Sequence, residues 1–88
     1  MGNLQKSVHT EEYRRLLGRL VALRRSRGLT QRTLAKRLGV HHSWVAKVEL
    51  GERRLDILEL VRVLEGLDTP ALLFLKDVMS RWTKTGKR

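Results

Sequence analysis

The chain has 88 residues, enough for one domain with a modest core. It has no cysteine, which excludes a disulfide framework and a thiolate metal site, and only three histidines, His9, His41 and His42, so no metal centre is expected. Its 19 Lys and Arg against 9 Asp and Glu leave a net charge of +10, and no run of about 18 apolar residues is present to span a membrane.

Residues 1–9 show no periodicity and read as a flexible arm. The opening MGNLQKS places Lys6 where a myristoylation signal needs Ser or Thr, and the N-terminus has no apolar signal-peptide core. A soluble, cytoplasmic chain is therefore expected. Thr10 suits a helix cap, with Glu11 and Glu12 at the positive end of the helix it starts. Tyr13, Leu16, Leu17, Leu20 and Leu23 then recur at helical spacing until Gly28. Thr30 caps a second helix, with Leu29 and Leu34 at the two positions of a hydrophobic staple. Its inward residues are Leu34, Ala35 and Leu38, and Gly39 stops it.

A third helix covers about residues 42–50, with Val45 and Val48 inward and Gly51 at its end. Asp56 and Glu59 form a capping box for a fourth, whose predicted stripe is Ile57, Leu60, Val61 and Leu64 and whose stop is Gly66. Thr69 and Pro70 predict a fifth, over about 70–82, with Thr69 as cap and Pro70 in the first helical position. The last residues, 83–88, read as a basic, disordered tail. The expected architecture is all-α: five helices joined by short loops, spanning 10–82 as one domain.

The charge is uneven. Residues 1–55 carry 13 basic and 4 acidic side chains, residues 56–75 one basic against four acidic, and residues 76–88 five basic against one acidic. This pattern suggests a polyanion-binding face beside a packing face. The stretch TQRTLAKRLGVHHSWVAKVE, residues 30–49, has the form of two short helices hinged at Gly39. With Val45 and Val48 turned inward, residues 42, 43, 46 and 47 turn outward. A helix fits the B-DNA major groove, where Lys47 suits guanine, His42 and Ser43 either donate or accept, and Ala46 offers a methyl to thymine. Gln31, Lys36, Arg53 and Arg54 are candidates for phosphate contacts that set register.

These residues resemble the Cro/phage-repressor (XRE) family of helix-turn-helix transcriptional regulators, whose fold is lambda-repressor-like. The resemblance rests on residues 23–67: Leu-Thr-Gln, then Leu-Ala, then Leu-Gly-Val, then Val-x-x-Val-Glu, then Gly-x-Arg. It implies that Gln31 opens helix 2 against a phosphate, with Arg32 beside it in the DNA-facing set. It implies that His42, Ser43, Ala46 and Lys47 face bases, that Trp44 lies along the DNA backbone, and that Arg53 and Arg54 grip phosphates. It also implies a largely buried Arg24–Glu49 pair between helices 1 and 3. His41 stands where the family carries Ser or Thr as the cap, and His42 where Gln or Asn is common.

The apolar run ALLFL at 71–75 leaves a second apolar face on the fifth helix. Leu72, Leu75, Met79 and Trp82 are the candidate homodimer interface. The expected function is a dimeric repressor, nucleoid-associated, binding double-stranded DNA at a palindromic operator without a cofactor. The alternative is the antitoxin of a toxin–antitoxin pair; a toxin or polymerase would then be the protein partner. An enzyme is not expected: the sequence offers no nucleophile–base pair, no paired carboxylates on one face and no glycine-rich phosphate loop.

Overall fold

Each of the first four helices begins where a side-chain acceptor meets a backbone N–H that the helix itself leaves unpaired. The Thr10 hydroxyl accepts from the Tyr13 amide at 3.1 Å and starts α1, Glu11–Ser26. The Thr30 hydroxyl accepts from the Thr33 amide at 3.0 Å and starts α2, Gln31–Leu38. His41 performs the same task for α3, His42–Leu50. At α4, Ile57–Gly66, Asp56 and Glu59 exchange side chain-to-backbone bonds at 2.7 and 3.0 Å, the reciprocal box expected from the sequence. The fifth helix, α5, spans Ala71–Gly86. The computed structural model describes residues 10–86, and their side chains as far as Arg81. Among these residues no strand forms, and no helix is long and apolar enough to cross a membrane. The N-terminal arm, 1–9, lies outside the described residues.

The core takes a short stripe from every helix. Leu17 and Leu20 of α1 meet Leu34 and Ala35 of α2 and Val45 and Val48 of α3. Leu60, Val63 and Leu64 of α4, with Leu67 after it, complete the centre, and Phe74 and Val78 of α5 close it. Gly39 makes the tight turn between α2 and α3 feasible: its φ of 73° lies in the left-handed region that a side chain disfavours. Ala35 is only 2% exposed, and its small side chain lets the helices of the motif approach closely.

Several expectations are corrected. Ile57, placed in the inward stripe of α4, is 63% exposed, and Val63 takes the buried place. The cap at Asp56 fixes the phase of the first turn, so Ile57 and Leu58 both face out while Leu60, Val63 and Leu64 face in. α4 does end at Gly66, as expected, but without a left-handed turn there, and a Cβ on Gly66 would stand 2.9 Å from Leu38 Cδ2. The positive φ falls instead at Asp68, at 54°. Thr69 does not cap α5: its hydroxyl donates to the Leu67 carbonyl at 3.0 Å and lies 2.9 Å from the donating Arg27 guanidinium. Pro70 sits just before α5, and the helix runs past Trp82 to Gly86 because the sequence offers no glycine or proline earlier.

Two arginines brace the α4–α5 connection. Arg27 Nε donates to the Leu67 carbonyl at 2.9 Å, and Arg37 Nη1 donates to the Gly66 carbonyl at 2.8 Å. Both satisfy carbonyls that the end of α4 leaves unpaired. Arg27 also reaches the Thr69 hydroxyl at 2.9 Å, which makes it a brace. Arg19 of α1 pairs with Asp77 of α5 at 2.8 Å and ties the last helix to the first.

Candidate nucleic-acid interface

α3 is phased by its buried valines. Val45 and Val48 are 2% and 4% exposed, which turns Lys47 to solvent and leaves His42, Ser43 and Ala46 half-buried on the outward side. The start of α3 is a small polar assembly. His41 Nδ1 accepts from the Ser43 amide at 3.1 Å, so that nitrogen carries no proton and the N–H resides on Nε2. The Ser43 hydroxyl, 2.9 Å from the same Nδ1, then acts as a donor. Imidazole lacks the compact oxygen of the Ser or Thr that the family carries at the position of His41. The ring nitrogen nonetheless reaches the amide two residues on.

The two imidazoles lie with centroids 4.3 Å apart and planes tilted by 32°. The protonated form of His42 is disfavoured, first by burial, then by the charge of Arg32 and by His41, so its pKa lies below the ordinary 6.5. Neutral His42 offers one donor and one acceptor to a base edge. Arg32 is exposed at the start of α2, close enough to influence His42 electrostatically. Arg32, His41, His42, Ser43 and Lys47 thus gather on α3 and the adjoining start of α2.

Other candidate residues are placed differently. Trp44 is half-buried and packs against the core. It lines a small cavity with Leu38, Val40 and Val63. Arg53 lies 5.2 Å over the Trp44 ring and forks onto Glu59, with Nη1 and Nη2 donating at 3.0 and 2.9 Å. The hydrogen bond from Arg53 holds the Glu59 carboxyl below its usual range, helped by the Asp56 amide. Arg53 is raised in turn, chiefly by that same bond. Sequence reasoning missed Glu59 as the partner of Arg53; the capping box gave Glu59 a role, and nothing in the local pattern showed its second oxygen free. Arg54 remains exposed.

Arg24 and Glu49 form the expected pair. Arg24 Nε and Nη2 donate to the two carboxylate oxygens at 2.7 and 3.0 Å, and Nη1 donates to the Leu29 carbonyl at 2.8 Å. Their side chains are 8% and 12% exposed. Gln31 joins them: its Nε2 donates to Glu49 Oε1 at 2.9 Å.

On α5, Leu72 and Met79 are 81% and 50% exposed. Leu75, grouped with them by spacing, is half-buried against the core instead, and exposed Leu73 was not in the expected set. The Trp82 side chain lies outside the described residues. Among the described residues no cluster of His, Cys, Asp or Glu is arranged to hold a metal ion.

The pattern of the helix-turn-helix family matches residues 20–74. No curated protein matches the chain. Among solved structures, an XRE-family-like protein from Pseudomonas syringae pv. tomato str. DC3000 is 36% identical. It has a TM-score of 0.81 and covers 91% of this chain and 98% of its own. A point mutant of a restriction-modification controller protein is 19% identical, with a TM-score of 0.76 over 88% of this chain and 98% of its own. At that identity the second likeness speaks for the fold alone.

Proposed function

The chain belongs to the helix-turn-helix family, of XRE type, and from that premise we propose that this DNA-binding transcriptional regulator is a homodimeric repressor that reads a palindromic operator. It is not an enzyme. The observation that carries the reading is the outward face of α3. Lys47 is exposed, and His42 and Ser43 stand beside it on a helix whose opposite side is locked into the core by Val45 and Val48.

In this reading the N-terminal part of α3 enters the major groove. Lys47 donates to guanine, neutral His42 and Ser43 make paired donor–acceptor contacts, and Ala46 meets a thymine methyl. Arg32, Gln31 and Arg54 hold phosphates on either side and set the register. Two copies joined through the exposed apolar residues of α5 place two reading helices about one DNA turn, roughly 34 Å, apart. Occupancy of the site blocks the polymerase. In this reading control comes from protein concentration, proteolysis or a partner.

The test is selection of bound duplexes from a random DNA library at near-physiological salt. An enriched palindrome with half-sites about 10 base pairs apart supports the whole reading. An enriched single half-site keeps base reading and removes the dimer. Binding without enrichment reduces the basic face to a phosphate grip. It turns attention to the antitoxin alternative, with the α5 face holding a toxin.

A further inference from the structure

Glu49 receives three hydrogen bonds from two different elements: two from Arg24 on α1 and one from Gln31 at the first position of α2. The Arg24 pair alone satisfies the charge. The bond from Gln31 is an addition, and it has a directional consequence. A glutamine amide presents a donor on one side and an acceptor on the other, and free in solution it turns either way. Against a carboxylate only the donor is tolerated. Glu49 therefore compels Nε2, not Oε1, to occupy the inner position. Nε2 carries two N–H bonds, of which Glu49 takes one, and Gln31 as a whole is half-buried.

We infer that Glu49 is a positioning residue for DNA binding: through Gln31 Nε2 it fixes the amide before DNA arrives, so that the second N–H is already set to donate to a backbone phosphate. The inference rests on the proposed reading that Gln31 lies against the DNA backbone. The Arg24 guanidinium makes the device workable. Without it, a nearly buried carboxylate this close to the interface would repel the phosphate it helps to bind. With it, the network is neutral, and Gln31 forms its contact without first losing rotamer freedom. The Leu29 carbonyl, also held by Arg24, fixes the backbone two residues before Gln31.

The experiment is a double-mutant cycle on operator binding, read as affinity against salt, with Gln31→Ala, Glu49→Gln and the pair together. Gln31→Ala is expected to weaken all sequences alike and to leave the salt slope unchanged, because a neutral amide displaces no counterion. Glu49→Gln is expected to reproduce that loss, and the double variant to bind no worse than Gln31→Ala alone. If the two losses add, Glu49 acts only through stability and the inference is overturned. Because Glu49→Gln also disturbs the Arg24 pair and lowers stability, the wild-type protein supplies a second readout. In nitrogen-15 spectra one of the two Gln31 side-chain protons should be protected from exchange before DNA is added, and the other should shift on binding. Two protons that both exchange as fast as those of a free glutamine amide would show that the amide is not fixed. An unchanged operator affinity in Gln31→Ala, with the protected proton present in the wild-type protein, would leave the bond to Glu49 intact. It would remove Gln31 from the DNA, and the inference with it.

Discussion

The guanidinium of Arg53 lies 5.2 Å over the ring of Trp44, and both its terminal nitrogens are committed to Glu59. The loop after α3 therefore contains one arginine held inward and a neighbour, Arg54, that is exposed. The sequence treated the two alike, as a pair of phosphate contacts. Their surroundings separate them. Arg53→Ala should lower stability, because it removes a partly exposed ion pair and a cation–π contact. It should change the salt dependence of DNA binding little. Arg54→Ala should lower the salt slope by about one. Urea unfolding and binding at three salt concentrations separate the two; equal slopes for both variants would return Arg53 to the interface.

The difference shows what was legible in the sequence. Elements whose signals are local were readable: Thr10, Thr30 and Asp56 each bond to an amide three residues ahead. The phase of α3 was readable because Val45 and Val48 fix it without reference to other helices. Contacts made at a distance were not. Arg27 and Arg37 reach the α4–α5 connection across 40 and 29 residues of chain, and nothing near either arginine announces a target. Ile57 and Leu75 failed for a related reason. Several apolar residues in a row allow more than one inward face, and only the neighbouring helices decide between them. Gly66 does end α4, but nothing near it showed that its missing side chain also lets α2 approach α4 closely.

Lys47 projects from the face opposite Val45 and Val48, so its removal leaves the fold alone. Lys47→Ala should weaken the selected operator by about 1–3 kcal/mol and relax preference at one base pair. Binding to random duplexes should fall far less. Equal losses on operator and random DNA would make Lys47 a phosphate contact.

Two helical glycines should respond oppositely to alanine. Gly18 is exposed within α1, and a Cβ there meets nothing within 4 Å. Gly18→Ala should stabilise the protein by about 0.5–1 kcal/mol through helix propensity. At Gly66 the same Cβ would stand 2.9 Å from Leu38 Cδ2 and 3.3 Å from Leu34 Cδ1. Leu34 is buried, so the displacement falls on a packed side chain and offsets the propensity gain. Thermal unfolding should rank Gly18→Ala above wild type and Gly66→Ala below it. A gain at both positions would show that Leu38 yields freely.

The lowered pKa of His42 links folding to pH. Between that lowered value and the ordinary 6.5, the unfolded chain binds more protons than the folded one. Stability is therefore fully present above 6.5 and is lost as pH falls through 6.5 toward the folded value. Urea midpoints should decline from about pH 7.5 to about pH 5.5, a range that stays above the titration of Glu59. His42→Gln keeps a polar side chain without the titration and should flatten part of that decline. A slope unchanged by the substitution would show that His42 is not its source.

On α5, Leu72 and Met79 are exposed and seven residues apart, two helical turns on one side. Neither closes the core of a single copy, and exposed apolar side chains at that spacing suit burial against a second copy. Leu72→Glu and Met79→Glu should therefore fold normally and sediment as monomers, with operator binding much weaker because two half-sites are no longer held together. Leu75→Glu should behave differently. Its side chain is half-buried against the core, so the charge should lower the unfolding temperature as well. If Leu72→Glu and Met79→Glu both remain dimers, the contact lies elsewhere. Leu50, Ile57 and Leu58, exposed at 73%, 63% and 70%, are then the residues to change next.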